Sequence, residues 1–201
     1  MKEILLATRN RKKLLELKRL LKGLDIKVLG LDSFKGLPQV KEDGKTFRAN
    51  ASKKALEISR RVDKLVMADD SGLEVPSLDN GPGIHSARYA GASQSDKKNI
   101  AKLLRSMKAF KGSKRKAHFK CAICISKGKR IVKIVEGRVN GSITEEPAGK
   151  TGFGYDPVFI PYGFDKTFAQ LGSKPKDKIS HRGVALEKAK TVIQTYYQRW
   201  S

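Results

Sequence analysis

Cysteines, long apolar runs and acidic residues are all scarce in this 201-residue sequence. With only two cysteines, the chain cannot be a scaffold held by several disulfides, and at this length it can bury a core without them. No apolar run approaches the roughly 20 residues of a membrane span, and residues 1–8 are too short for the apolar part of a signal peptide. We therefore expect a cytoplasmic protein with no membrane partner.

The shortage of acidic residues gives the chain a strongly positive charge. Lysine and arginine together number 43 against 20 aspartates and glutamates, a formal net charge of +23. Such a balance favours polyanionic partners through long-range attraction. A solvated lysine-rich surface, of the kind found in heat-adapted proteins, is the alternative, because the basic residues are spread along the whole chain. Charge alone leaves both interpretations open.

The two cysteines, Cys121 and Cys124, have the C-x-x-C spacing of a redox pair. They lie in the stretch 118–126, whose apolar pattern is typical of a strand. Side chains an odd number of positions apart on a strand point to opposite faces, so these two sulfurs should not meet. We expect two buried structural thiols.

Short apolar runs alternate with helical patterns along the chain, which predicts an α/β domain. No repeat, low-complexity tract or linker divides the sequence, so we expect a single domain over residues 1–201. The strands are predicted at 2–7, 26–29, 65–68, 73–75, 118–126, 130–140 and 157–160, with 118–126 and 130–140 forming a hairpin. The helices are predicted at 14–21, from an N-cap at Thr46 to 62, after Asp96, and from about Ser180 onward.

The polar loop after the first strand offers hydroxyl, amide and cationic donors at the start of a helix. Such donors suit a chain of phosphates, because free backbone N–H groups at a helix N-terminus also attract anions. The loop has no glycine and is not a Walker loop, and a merely basic helix start is the alternative. Its residues are Thr8, Arg9, Asn10, Arg11, Lys12 and Lys13.

Two neighbouring carboxylates, Asp69 and Asp70, follow the apolar run 65–68. On a strand they point to opposite sides, so one can face a ligand while the other accepts local hydrogen bonds. Adjacent like charges are costly unless a cation or donors offset them, and magnesium is the usual partner of a few carboxylates in a phosphate site. We expect Ser71-Gly72 to break the strand here, and a solvated turn is the alternative to a metal site.

Aromatic rings occur between glycines in the segment Gly152–Pro157. Phe153 and Tyr155 can stack on a nucleobase there, and Asp156 can accept a hydrogen bond from a base N–H. Packing of both rings under a tight turn is the alternative.

The last predicted helix begins with cationic residues. His181 and Arg182 fall in its first turn, shortly after Lys176. Cations at that end oppose the helix dipole unless something anionic or electron-rich binds between them. Such a local inconsistency is expected at a functional site.

Five segments stand in order along nearly the whole chain: Thr8 with Asn10 and Lys13, Met67–Leu73, Pro82–Tyr89, Gly152–Pro157 and Ile179–Gly183. Together they resemble the inosine triphosphate pyrophosphatase family. The resemblance implies an elongated α/β fold with two lobes, a central twisted mixed sheet flanked by helices, an active cleft between the lobes, and a homodimer. It implies magnesium-dependent hydrolysis of ITP, dITP and XTP to the nucleoside monophosphate and pyrophosphate, which removes deaminated purines from the nucleotide pool.

Matched motif by motif, the resemblance also implies roles for individual residues. Asp70 would be the catalytic and metal-binding carboxylate, Glu42 a second metal ligand, and Lys13 the main phosphate contact within residues 8–13. Arg9 and Lys12 stand where many family members have glycine, which adds positive charge and alters the freedom of the loop backbone. Ser71 would be a substrate contact. The residues around the base and sugar would be Phe153, Gly154, Tyr155, Asp156, Lys176, His181 and Arg182.

Two rival functions remain open. A basic nucleic-acid-binding protein would fit the charge, but the sequence has no recognisable recognition helix or RNA-binding aromatic signature, so we expect no specific nucleic-acid partner. A pyrophosphatase acting on ordinary or methylated nucleotides would fit the same motifs.

Overall fold

The structure, a computed structural model, describes residues 2–199. Its helices are α1 (Arg11–Leu20), α2 (Phe47–Ser59), α3 (Asp96–Ser106), α4 (Phe168–Leu171), α5 (Ser173–Ile179) and α6 (His181–Arg199). Its strands are β1 (Glu3–Leu6), β2 (Lys27–Gly30), β3 (Leu65–Val75), β4 (Gly81–Pro82), β5 (Lys116–Lys127), β6 (Arg130–Ile143) and β7 (Phe159–Pro161). Within residues 2–199, no helix is both long and apolar enough to cross a membrane.

The strands form one mixed sheet in the order β2-β1-β3-β5-β6-β7, with β4 paired to β3. Strand β1 runs parallel to both neighbours, with Leu5 opposite Leu29 in β2 and Val66 in β3. Parallel neighbours need a crossover, and α1 and α2 provide the two crossovers. Strands β4 and β7 pair in the antiparallel sense with β3 and β6. The α/β class and the mixed sheet with flanking helices are thereby confirmed, as is the β5–β6 hairpin.

Strand β3 does not break at Ser71-Gly72, so that prediction was wrong. The strand is continuous from Leu65 to Val75. It pairs with β1 at its start and with β4 at its end, and Ser86 supplies a hydroxyl 2.9 Å from the Leu73 backbone N–H. Partners along the strand thus outweigh the weak strand preference of glycine. The acidic pair therefore lies within an extended, fixed backbone and not in a turn.

By its internal contacts the chain forms two compact units. The first comprises residues 2–70, 121–137 and 184–199 of the described chain, and the second comprises 71–120 and 138–183. Strands β3, β5 and β6 contribute residues to both.

The first unit has an aliphatic core. Leu17 and Leu21 are one helical turn apart and therefore lie on the same face of α1 and its C-terminal cap. They belong to the same core as Ile4 and Leu6 of β1. Cys121 belongs to the same core, and Cys124 is equally buried; both are free thiols, as predicted. Helix α6 contributes Ala185, Leu186, Ala189 and Ile193.

The second unit has an aromatic core. The Phe159 ring lies 4.7 Å from the Phe119 ring and 5.4 Å from the Phe168 ring, centroid to centroid. Helix α3 closes this core with Ile100 and Leu103. These packed rings form a rigid base for the aromatic loop that follows β6.

Candidate active site

The polar loop before α1 is organised by Asn10, which caps the helix. The Asn10 side-chain oxygen accepts from the backbone N–H groups of Lys12 and Lys13, at 3.0 and 3.1 Å, and the Thr8 hydroxyl accepts from the Asn10 N–H at 3.2 Å. Arg9 donates to the Leu37 carbonyl at 2.9 Å. The cap thus satisfies the N–H groups of Lys12 and Lys13 in the first turn of α1, and the cationic side chains of the loop add charged donors for an anion.

Lys13 is the residue of this loop that reaches the acidic pair. Its ammonium lies 2.9 Å from an Asp69 carboxylate oxygen, and the Asp69 side chain is fully buried. The side chains of Arg9, Asn10, Arg11 and Lys12 remain exposed. The structure therefore brings Lys13 to the acidic pair and leaves the neighbouring cations at the surface.

Asp70 has a different partner, as the alternation of side chains on a strand requires. Its carboxylate accepts a 2.9 Å hydrogen bond from the side-chain amide of Asn50 in α2. The amide is oriented by Gly44, whose N–H donates to the Asn50 oxygen at 2.8 Å. A Cβ at Gly44 would lie 2.7 Å from that same oxygen, so glycine allows the close approach.

Lys54, one turn after Asn50 in α2, joins the remaining members of the cluster. Its ammonium donates to the Asp69 backbone carbonyl at 2.7 Å and to the carboxylate of Glu42. Lys54 thereby holds Glu42 near Asp70. We call Lys13, Glu42, Asn50, Lys54, Asp69 and Asp70 the carboxylate cluster.

The charges of the carboxylate cluster compete at Asp70. Burial raises the pKa of the Asp70 carboxyl above its ordinary value, and the nearby negative charge of Glu42 adds to the rise. The positive charges of Lys13 and Lys54 and the Asn50 hydrogen bond act in the opposite direction. A carboxylate with a raised pKa accepts a proton more readily near neutral pH, which is the property of a general base.

Glu42 and Asp70 also fit a hard divalent cation. Magnesium prefers oxygen ligands and usually takes one or two carboxylates, keeping waters and substrate phosphates for its other positions. Among residues 2–199, no group of three or more histidine, cysteine, aspartate or glutamate side chains could hold a metal ion. A cage made entirely of protein ligands is therefore absent from the described chain, whereas two carboxylates match the magnesium pattern.

The second unit assembles the aromatic and cationic residues around Phe153. The Lys176 ammonium lies 4.7 Å from the centre of the Phe153 ring and the Arg182 guanidinium 5.6 Å from it. Arg182 is almost completely buried and donates to the Ser71 hydroxyl at 2.7 Å. The Arg182 cation at the start of α6 is thus held by an aromatic face and a hydroxyl, which offsets its unfavourable position on the helix dipole.

Asp156 organises this loop from inside. One carboxylate oxygen accepts from the Phe153 N–H at 2.8 Å and from the buried Lys176 ammonium at 2.6 Å. At Gly152, with φ +78°, an added Cβ would lie 2.1 Å from the same carboxylate. The structure therefore gives Asp156 contacts that hold the loop's backbone and the lysine that faces its ring. We call Ser71, Phe153, Asp156, Lys176 and Arg182 the aromatic cluster.

Two predicted base contacts are buried by packing. The Tyr155 hydroxyl donates to the Ser86 carbonyl at 2.9 Å, and burial raises the pKa of Tyr155. The His181 ring stacks on Phe119, with centroids 4.6 Å apart and planes within 9°. Gly154, with φ +63°, has nothing within 4 Å of an added Cβ. For Tyr155, the alternative of packing under a tight turn describes the observed contacts.

The sequence interpretation missed Asn50, Lys54 and the pairing of Asp69 with Lys13. Asn50 and Lys54 are four residues apart in α2, beside the apolar stripe that begins at Phe47. A buried asparagine next to such a stripe was a usable signal, because a buried amide needs partners. The identity of those partners depends on the crossover from α2 to β3, which the sequence pattern does not specify.

Comparison with known proteins gives a consistent result. The sequence profile of the Ham1 family matches residues 4–192. A dITP/XTP pyrophosphatase from Bacillus licheniformis is 46% identical over 195 residues, covering 96% of this chain and 98% of the relative. One from Clostridium perfringens is 47% identical over 198 residues, covering 94% and 96%. A HAM1 protein structure from Coxiella burnetii has a TM-score of 0.88 at 39% identity, covering 97% of this chain and 100% of that one.

Proposed function

Because the chain belongs to the Ham1 family, we propose that it hydrolyses ITP, dITP and XTP to the nucleoside monophosphate and pyrophosphate. The relatives from Bacillus licheniformis and Clostridium perfringens are dITP/XTP pyrophosphatases. The role would be to remove deaminated purines from the nucleotide pool. The observation that carries the proposal is the buried Asp70 carboxylate, held by Asn50 and set among Lys13, Lys54 and Glu42.

Asp70 acts as the general base in this proposal. A water molecule bound beside Asp70 gives its proton to the carboxylate as its oxygen forms a bond to the α-phosphorus. The bond from that phosphorus to the bridging oxygen of the β-phosphate breaks, and pyrophosphate leaves. The burial of Asp70 and its hydrogen bond from Asn50 support this role, because a general base must be held within reach of the water whose proton it takes.

The two lysines of the carboxylate cluster would stabilise negative charge. Lys13 and Lys54 are held by Asp69 and Glu42, so their ammonium groups need no rearrangement when charge develops on the departing pyrophosphate. Preoriented donors of this kind are usually the largest single contribution to catalysis.

Magnesium is the proposed cofactor. Glu42 and Asp70 would hold it, and when bound it would neutralise phosphate charge and polarise the phosphoryl oxygens. Lys54 currently neutralises Glu42 in the described structure, so the lysine would share that carboxylate with the ion.

The aromatic cluster is proposed to select the base. Phe153 offers a ring for stacking, and Arg182 a donor for the oxygen that hypoxanthine and xanthine carry at position 6. Adenine has a donor amine at that position, so ATP would set a second donor against the arginine in place of an acceptor. A polar site of this type can discriminate by roughly 10⁴.

The proposal extends to a homodimer in the cytoplasm, on the strength of the family resemblance. Light scattering coupled to size-exclusion chromatography would check the dimer directly. A mass near twice 22.3 kDa is expected, and a monomer at micromolar concentration would exclude the dimer.

The deciding experiment is a product assay on the purified protein. ITP, XTP, dITP, GTP and ATP are supplied with and without magnesium, and pyrophosphate and orthophosphate are measured separately. We expect pyrophosphate from ITP, dITP and XTP, dependent on metal, and at least about 100-fold less from ATP. Asp70→Asn should lower turnover by about 10³-fold, whereas the control Asp63→Asn, at an exposed carboxylate of the first unit, should not.

The same assay, extended to a methylated nucleotide and paired with a nucleic-acid binding measurement, separates the rival functions. Faster turnover of an ordinary or methylated nucleotide would assign a different specificity to the same motifs. Orthophosphate as the product, or no turnover with nucleic-acid binding that falls steeply with salt, would refute the proposal.

A further inference from the structure

A second basic feature lies on helix α3, apart from both clusters described above. A groove of about 540 Å³ opens there within the second unit, and its lining residues are Ala90, Lys98, Ala101, Lys102, Arg105 and Ser106. None of these residues belongs to the carboxylate cluster or the aromatic cluster. We propose that this groove binds a compact oligophosphate, either inorganic or carried by a nucleotide, through Lys98, Lys102 and Arg105. The inference goes beyond the proposed catalytic function and does not depend on it.

The three cations share one face of α3. Lys98, Lys102 and Arg105 follow one another at spacings of four and three residues, which places their side chains in one row. Seven residues of α-helix rise about 10 Å, so the three charges can converge on one short chain of phosphates. Like charges in such a row repel one another, and an anion between them removes that cost.

Lys102 is already oriented toward the groove. Its ammonium donates to the Tyr89 carbonyl at 2.7 Å and lies 4.4 Å from the centre of the Tyr89 ring. An ammonium has three N–H donors, so this one bond leaves it able to donate to a phosphate oxygen. A cation held in place loses less conformational freedom when an anion binds, which favours binding.

No acidic side chain lines the groove in the described chain. Asp96, the acid at the start of α3, is not among the residues that line the groove. From residue 97 to residue 135 the sequence contains no aspartate or glutamate at all. The positive potential of the groove is therefore not cancelled by its own segment of chain.

The shape of the groove favours a compact ligand. Ala90 and Ala101 are small and leave room between the longer cationic side chains, and Ser106 adds a hydroxyl. The volume lies within the range of about 300–1,000 Å³ that is typical of small-molecule sites. A duplex spreads its phosphates over a long surface, whereas three charges within about 10 Å suit a short chain of phosphates.

Isothermal titration with inorganic tripolyphosphate at about 0.1 M salt tests the proposal on the full chain. The variant Lys98→Gln/Arg105→Gln removes two groove charges and keeps Lys102 on Tyr89. The control Lys97→Gln/Lys108→Gln removes two exposed charges from the same region that do not line the groove. Tripolyphosphate can also bind at the carboxylate cluster, but that binding is common to both variants, and ITP turnover on the same preparations checks that cluster separately.

We expect the groove variant to bind tripolyphosphate about 10-fold more weakly than the control, from two lost charge-assisted contacts. The charge-conserving exchange Lys98→Arg/Arg105→Lys should keep most of the affinity. A parallel titration with ATP distinguishes an inorganic oligophosphate from one carried by a nucleotide. Equal affinity for ATP and tripolyphosphate means that the groove recognises phosphates alone. Tighter binding of ATP means that the groove also contacts the nucleoside.

Three results would overturn the proposal. An equal loss in the groove variant and its control would reduce the effect to general attraction by a basic surface. Unchanged affinity in both would leave the groove without a phosphate ligand. Single-stranded oligouridylate that displaces tripolyphosphate and binds at least about 10-fold tighter would reassign the groove to nucleic acid.

Discussion

The buried pair of Lys176 and Asp156 allows a sharp test of how the aromatic cluster is held. We consider Lys176→Met, which keeps the length of the side chain and removes its charge. The ammonium lies 2.6 Å from the carboxylate, and the two side chains are only 6% and 3% exposed. The substitution leaves a buried carboxylate that still accepts a hydrogen bond from the Phe153 N–H.

The expected cost follows from that burial. Removing one partner of a buried ion pair typically costs about 3–5 kcal/mol, because the other charge stays desolvated. Asp156 keeps the hydrogen bond from Phe153, so we expect the lower figure, a loss of about 3 kcal/mol in the free energy of unfolding. The cation above the Phe153 ring is lost as well, so the KM for ITP should rise about 10-fold, with a smaller change in kcat.

Urea unfolding and steady-state kinetics measure the two effects, with Lys174→Met as the matched control. Lys174 is exposed and lies in the same helix, so its substitution should change the free energy of unfolding by less than about 0.5 kcal/mol. The double variant Lys176→Met/Asp156→Leu should recover only part of the stability, because it removes the desolvation cost but also the acceptor of the Phe153 N–H, and it should not recover the KM. Equal stability of Lys176→Met and Lys174→Met would refute the assignment of a buried pair.

Three further predictions concern the folded chain. Gly152→Ala should destabilise the protein by about 2 kcal/mol more than Gly154→Ala in urea unfolding, because both have positive φ but only the first Cβ meets a carboxylate; equal effects would contradict this. Arg115→Met should cost about 3 kcal/mol, because its guanidinium serves four backbone carbonyls, whereas the neighbouring Lys116→Met should cost little. Burial raises the pKa of Cys124 to about 11, so it should resist iodoacetamide at pH 8 until urea unfolds the chain, and rapid native labelling would disprove the burial.

Local features of the fold could be predicted because they depend on neighbouring residues. Thr46 caps α2 by accepting from the Ala49 N–H at 3.0 Å, and α6 begins at His181, close to the predicted start. Apolar spacing was enough for these elements, since a helix buries one stripe of its surface. The error at Ser71-Gly72 arose because a strand's length depends on its partners, and those are distant in sequence.

The candidate site could be predicted as a set of residues but not as a set of contacts. Asp70 was singled out from its neighbours, yet its hydrogen-bond donor Asn50 is 20 residues away and reaches it through the crossover from α2. Asp156 was expected to face a base, and the structure instead occupies one of its oxygens with Lys176 and the Phe153 N–H. Sequence patterns identify polar residues that need partners, whereas topology decides which partners they meet.

Two acidic residues of this basic chain hold lysines inside the fold. Asp69 and Asp156 are buried and lie against Lys13 and Lys176, so each of these lysines has an opposite charge in contact. Because each pair is neutral, the formal net charge of +23 is carried by the other ionisable residues. The sequence left open whether the charge is a solvated surface or attracts polyanions. Exposed cations without lining acids, as in the α3 groove, are the places where the two interpretations predict different binding.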